Sequence, residues 1–209
     1  ITRGGYIKRL ATSTYQVQHR GGKGVKGMTT KEEDVVDLFL ATTTHKQLLF
    51  FTNQGRVFST NAYEIPATAR AAKGQAIQNF LELAAEEKVT AVQDIPDAES
   101  AGEFLVMATR GGVIKKTSRN DFLHIRRSGL KAIELHSGDT LEWVGVSSGS
   151  DRIIIATKKG QAILFEEKNV RAMGRTAAGV RGIKFKGGDE VVAMYVVKAG
   201  QEGGQVMVI

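Results

Sequence analysis

"EFLVMATRGGVIK", Glu103–Lys115, runs from an apolar stretch into a glycine turn and straight out into a second alternating stretch. Two short apolar runs joined in this way signal a β-hairpin. The pattern returns along the chain, in "GGYIKR" from Gly4, "NQGRVF" from Asn53 and "KKGQAI" from Lys158, with "QLLFFT" and "RIIIATK" as further entering strands. The turn glycines Gly5, Gly55, Gly112 and Gly160 recur at about fifty residues. So do Gly24, Gly74, Gly129 and Gly179, each within a basic loop, and the apolar runs "VVDLFLA" (Val35), "VTAVQDI" (Val89), "LEWVGVS" (Leu141) and "VVAMYVV" (Val191). Three markers on one period make a repeat protein. Prolines are only Pro66 and Pro96, and no segment sustains a 3.6-residue apolar period. Four-strand repeats of this length predict propeller-like blades; a β-sandwich or barrel with accidental similarity is the competing architecture.

The basic residues follow the same period. Net charge is +7, and residues 1–31 carry seven Lys/Arg without an acid, leaving 22 basic against 22 acidic residues elsewhere. Residues 110–131 form a second basic island, with Asp121 as its one acid, and residues 168–186 a third with none. Charges segregated at intervals predict one face of one sign. The second glycine marker places Arg20, Lys23 and Lys26 in the first unit and Arg70 and Lys73 in the second. Arg126, Arg127 and Lys131 stand in the third, and Arg171, Arg175 and Arg181 in the fourth. Equivalent loops of successive blades share one rim, so these residues predict a curved cationic track for a polyanion. Lys and Arg read backbone phosphates, and glycine amides approach them closely. Without aromatic platforms or a helix for the major groove, such a track binds with little sequence preference and favours bent duplex.

The chain has 209 residues and no cysteine, which excludes disulfides and thiolate metal sites and fits a reducing compartment. No apolar run approaches the roughly 20 residues of a membrane span. A first residue that is Ile1, with no signal-peptide pattern, predicts a piece of a longer cytoplasmic protein. The expected organisation is one domain fragment, 1–209, with units at roughly 1–34 (partial), 35–88, 89–140, 141–190 and 191–209 (partial). The partial units sum to about four repeat-equivalents, which either close as a ring or leave an open arc of blades with "GQVMVI" near a raw edge.

"QHRGGKG", Gln18–Gly24, resembles the seven-residue box that marks the C-terminal domain of the DNA gyrase A subunit, of the type IIA topoisomerase family. Gln18, Arg20, Gly21, Gly22, Lys23 and Gly24 match it, and His19 stands where arginine or lysine is usual. "GYIKRL", "ATTTHKQLLFFTNQGRVF", "YEIP" and "VRAMGRTAAGVRGI" are similar to that domain's later blades. The resemblance implies an all-β β-pinwheel, about four blade-equivalents of a domain that usually has six, whose blades exchange strands. It implies that the rim, with the box, wraps duplex DNA in a positive sense and so biases strand passage toward negative supercoiling. The parent would be an ATP-dependent type II topoisomerase of two A and two B subunits, cytoplasmic, bacterial and nucleoid-associated. Its cleavage tyrosine, ATP and magnesium belong to other parts, which leaves this domain without catalytic site or cofactor. A topoisomerase IV-type C-terminal domain is the related alternative, though it lacks an intact box. A propeller-like module docking an acidic protein partner is the alternative of another class.

Competing chemistry is weaker. A phosphate-binding loop needs Ser or Thr after the lysine and then a helix, whereas Gly24 and a strand pattern follow Lys23. His19, His45, His124 and His136 show no metal-ligand spacing, and His45 reads as a turn residue. Tyr6, Tyr15, Tyr63 and Tyr195 read as packing residues, and Trp143 as interior or half-buried.

Overall fold

In the computed structural model, which describes residues 1–14, 34–95 and 104–200, strands form where the hairpin signals stand. They are β1 (Tyr6–Ile7), β2 (Gln47–Thr52), β3 (Arg56–Asn61), β4 (Gln75–Ala76), β5 (Val89–Asp94), β6 (Phe104–Thr109) and β7 (Val113–Ser118). Then come β8 (Leu130–Lys131), β9 (Leu141–Ser147), β10 (Arg152–Thr157), β11 (Ala162–Glu166), β12 (Val180–Arg181) and β13 (Val191–Val197). The described residues contain no α-helix, only short 3-10 turns.

Each hairpin is the centre of a blade. β2 and β3 pair, β5 joins the other edge of β2, and β8 joins β3. β6 and β7 repeat this with β9 and β12. β10 and β11 take β13, and β1 takes β4. The outermost strands β4, β8 and β12 thus come from the following unit, where each begins right after Gly74, Gly129 or Gly179. Neighbouring blades exchange strands, and the fold is a propeller-like all-β pinwheel. The second glycine marker is the crossing point. A Cβ on Gly74 would lie 2.5 Å from the Ile7 carbonyl oxygen, and one on Gly179 would lie 2.6 Å from that of Ile114. Both glycines also hold φ values, +86° and +94°, that side chains disfavour.

The hairpin turns carry a partner that the glycine pattern does not announce. Thr2, Thr52, Thr109 and Thr157, all buried, each stand three residues before a turn glycine. Each threonine carbonyl accepts the glycine N–H, and each hydroxyl accepts the N–H of the residue after the glycine. The repeat is therefore Thr-x-x-Gly, a three-residue loop closing on a left-handed glycine. Acids just ahead of the following apolar run brace these turns: Gly4 N–H donates to Asp34 at 2.7 Å, Gly111 to Asp139 at 2.7 Å and Lys159 to Asp189 at 3.0 Å.

Burial raises the pKa of Asp34, Asp151 and Asp189, but hydrogen bonds outweigh it and hold all three below the ordinary value. For Asp34 the donors are the amide of Gly4, the Thr2 hydroxyl and the amide of Val35. Asp151 takes the amides of Ala199 and Ser148, and Asp189 the Thr157 hydroxyl and the amides of Glu190 and Lys159. A carboxylate with a depressed folded pKa contributes stability above its unfolded value and loses it as pH falls through the folded one. Stability is therefore expected to hold above about pH 4 and to fall steadily below it. Denaturant midpoints taken from pH 7 to pH 2 check this, and a midpoint unchanged at pH 2.5 would contradict the bracing role.

The core lies between blades. Leu49, Phe51 and Val57 of one blade pack on Leu105, Met107 and Val144 of the next. Val106 and Ile114 pack in turn on Ile153, Ile155 and Val196. Ile7 packs with Leu48, Phe50 and Phe58 on the other side. β2 and β6, covered on both faces, are buried almost throughout, whereas β10 alternates and β11 is largely exposed. That is the pattern of stacked sheets, with the face of β11 exposed among the described residues.

Three expectations meet corrections or limits. "VVDLFLA" does not form a strand: only Val36 bridges, to Thr2, and Val35, Val36 and Phe39 are 46%, 51% and 76% exposed. Its counterparts pair along the whole entering strand of a hairpin, whereas this run meets Ile1, Thr2 and Arg3 through single backbone contacts at Val35–Leu38. Tyr63 and Tyr195 are not packing residues, being 52% and 64% exposed, while Trp143 is half-buried as expected. Tyr15 lies outside the described residues, and so do residues 201–209 of the 200–209 segment whose pairing with residues 1–10 would separate ring from arc.

Candidate nucleic-acid interface

Each basic loop leaves the outer hairpin strand through a 3-10 turn, Ala62–Glu64, Arg119–Phe122 or Glu167–Asn169. It then runs back over the preceding blade. Arg9 bridges Ala67, and Lys116 bridges Ala172, both in parallel sense, before the crossing glycine and the exchanged strand. The loops of units two, three and four thus occupy one position, the outer edge, of three successive blades. The first-unit residues Gln18, His19, Arg20, Gly21, Gly22, Lys23, Gly24 and Lys26 lie outside the described residues.

The loop cations differ in what holds them. Arg126, Arg127, Arg171 and Arg181 are exposed. Arg126, Arg171 and Arg181 form no ion pair among the described residues. Arg127 faces Glu64: the Thr60 and Asn61 side chains, with a smaller attraction from Arg127, hold that carboxyl below its usual range. Lys131 is paired with Glu134. Arg175, half-buried, turns its guanidinium inward to the Asp121 carbonyl. Lys73 lies with its ammonium 3.7 Å from the centre of the Tyr6 ring, and the carbonyl of Arg70 receives Lys8. Exposed guanidiniums suit phosphate contact, and the inward-turned one of Arg175 holds its loop.

Residues outside the loops complete this anchoring. Lys8 donates to the carbonyls of Arg70 and Ala72, the latter at 2.9 Å. Lys115, fully buried, donates to those of Ala132, at 2.7 Å, and Arg175. Arg56 joins the third loop through the Ser128 carbonyl at 2.6 Å while pairing with buried Glu87 at 2.8 Å. Lys8 and Lys115 each stand three residues after a turn glycine, in "GYIK" and "GVIK", the one signal that could have picked them out. Among the described residues no group of three or more His, Cys, Asp or Glu is placed to hold a metal ion. No helix among them is long and apolar enough to cross a membrane.

The sequence matches the family described as DNA gyrase C-terminal domain, beta-propeller, over residues 1–42, 46–96, 103–148 and 151–198. It is 48% identical over 182 residues to the DNA gyrase A subunit of Clostridium acetobutylicum, covering 87% of this chain and 22% of that protein. To the DNA gyrase A subunit of Staphylococcus aureus it is 43% identical over 199 residues, 95% of this chain and again 22% of the relative. The chain thus spans about a fifth of the length of these relatives. A solved DNA gyrase A C-terminal domain superposes with a TM-score of 0.76 at 29% identity, covering 95% of this chain and 64% of the other. The C-terminal domain of a DNA topoisomerase IV gives 0.77 at 28% identity, covering 95% and 60%. With four matched segments following its repeat, this chain belongs to the DNA gyrase C-terminal domain, beta-propeller family.

Proposed function

We propose that this chain binds and bends duplex DNA along its basic loops, with little sequence preference. In the parent enzyme, that wrap would bias strand passage toward negative supercoiling. The observation that carries the reading is the recurrence of cationic loops at one position of successive blades, with Arg126, Arg171 and Arg181 exposed and unpaired among the described residues. Phosphate contact needs such charges, and a curved series of them rewards a bent duplex. The gyrase relatives support a DNA partner and a place in a type II topoisomerase. Partnership with other domains of the parent polypeptide and with B subunits, ATP-dependent turnover outside this domain, and residence at a bacterial nucleoid are parts of the same proposal. The loop side chains offer charge and hydrogen bonding rather than a nucleophile with a base, so the role is binding.

Topology is the test. Relaxed circular plasmid is incubated with the protein and religated, and its linking number is read. A shift that grows with protein supports wrapping; no shift, with equal affinity for long and short duplexes, would favour docking of an acidic protein. Replacing Arg20 and Lys23 with alanine is expected to abolish the linking-number shift and to weaken simple binding less, since the other loops remain. Equal loss of both would make the 18–24 segment one more patch of charge.

A further inference from the structure

We propose that Lys115 is a positioning residue of the DNA-binding edge, fixing the fourth-unit loop from inside the third blade; this rests on the DNA reading above. Its chain runs through the interior from β7, and its ammonium meets the carbonyl of Arg175, four residues before the crossing glycine Gly179. Lys8 repeats the geometry one period away. It leaves β1 and meets the carbonyl of Arg70, four residues before Gly74. Two lysines at one place of the repeat, each donating to one place of the next unit's loop, form a device rather than a single contact. Both reach the loop backbone, so each sets the path along which the loop's arginines are presented. In the second blade Phe58 takes this position, and Arg56 supplies the tie through the Ser128 carbonyl.

The device also places a charge beneath the loop. An ammonium is hard to bury unless hydrogen-bonded, and here two carbonyls serve it. Burial pulls the Lys115 pKa down to about 8, Asp121 from the 3-10 turn Arg119–Phe122 pulls it back up, and Arg175 from the loop lowers it. β8 and the segment after it add the Lys131–Glu134 pair beside Ala132. Bound phosphate over the loop favours the charged form, so DNA binding takes up a proton at Lys115 near pH 8, by linkage.

The experiment compares wild type with Lys115→Met in two readouts. Amide hydrogen exchange over residues 174–178 needs no DNA: it is expected to quicken at least tenfold in the variant while β6 and β10 stay protected. The second readout is the affinity for a duplex of ~40 base pairs at pH 7 and pH 9. Wild-type affinity is expected to fall severalfold more than that of the variant over this range, groups common to both proteins cancelling. Unchanged loop exchange in a folded variant would overturn the anchor, and equal pH profiles would overturn the role of the charge. If wild type itself fails to bind duplex at low salt, the DNA reading falls, and the exchange result still decides the anchor. Should Lys115→Met not fold, Lys8→Met, at a half-buried site, puts the same question to residues 70–73.

Discussion

Replacing Arg126, Arg171 and Arg181 together with alanine is expected to weaken binding of random duplex about 500-fold at 0.1 M salt. Each phosphate contact releases roughly 0.9 of a counterion, worth about eightfold in affinity at that concentration. Three contacts multiply to the stated loss, and the log–log salt slope should become shallower by about 2.7. The fold should be untouched, because all three side chains are exposed and make no ion pair among the described residues. Removing Lys88 and Arg152, exposed cations outside the loops, is the control and should cost less than about threefold. A titration by fluorescence anisotropy from 50 to 300 mM salt decides between the two. If triple variant and control lose the same affinity, the protein attracts DNA by net charge and has no track.

Particular residues show how much of this is legible in the amino-acid sequence. Gly55 and Gly112 announce hairpins because a tight turn has few chemical solutions, and the period carries that reading around the molecule. The cationic loops are visible in the same way, since segregation of charge needs no knowledge of packing. What each cation does is not visible. Arg175 and Arg171 are four residues apart in one loop, yet one turns inward to the Asp121 carbonyl and the other faces solvent. That choice depends on which blade lies beneath the loop, a long-range fact. "VVDLFLA" misleads for a related reason: its composition is that of a strand, but a strand needs a partner along its length. Lys115 reads as surface charge within a basic island, although it is among the most buried side chains of the protein. Only its place after a turn glycine, shared with Lys8, hints otherwise.

The matched glycines Gly55 and Gly160 give the sharpest stability prediction. Both close a hairpin with positive φ, +73° and +80°, so an alanine at either carries the same conformational penalty of about 1–2 kcal/mol. Their surroundings differ. A Cβ at Gly55 would lie 2.7 Å from the Ile133 carbonyl oxygen, brought there by the strand that the next unit lends. Among the described residues nothing stands within 4 Å of one at Gly160, and β11 carries no lent strand. The clash at Gly55 is with backbone, which cannot rotate away. Ala132 and Ile133 also donate their amides to the Gly55 carbonyl, so any retreat breaks the exchange contact itself. Gly55→Ala is therefore expected to cost about 2 kcal/mol or more beyond Gly160→Ala, a large share of a stability of roughly 5–15 kcal/mol. Its Tm should fall below that of Gly160→Ala by at least about 5 °C, at roughly 2–4 °C per kcal/mol for a chain of this size. Gly160→Ala itself should unfold about 2–8 °C below wild type, the cost of the turn conformation alone. Calorimetry on the two variants reads the contact between blades directly. Equal losses would mean that the turn alone sets the cost and that the lent strand does not press on the glycine.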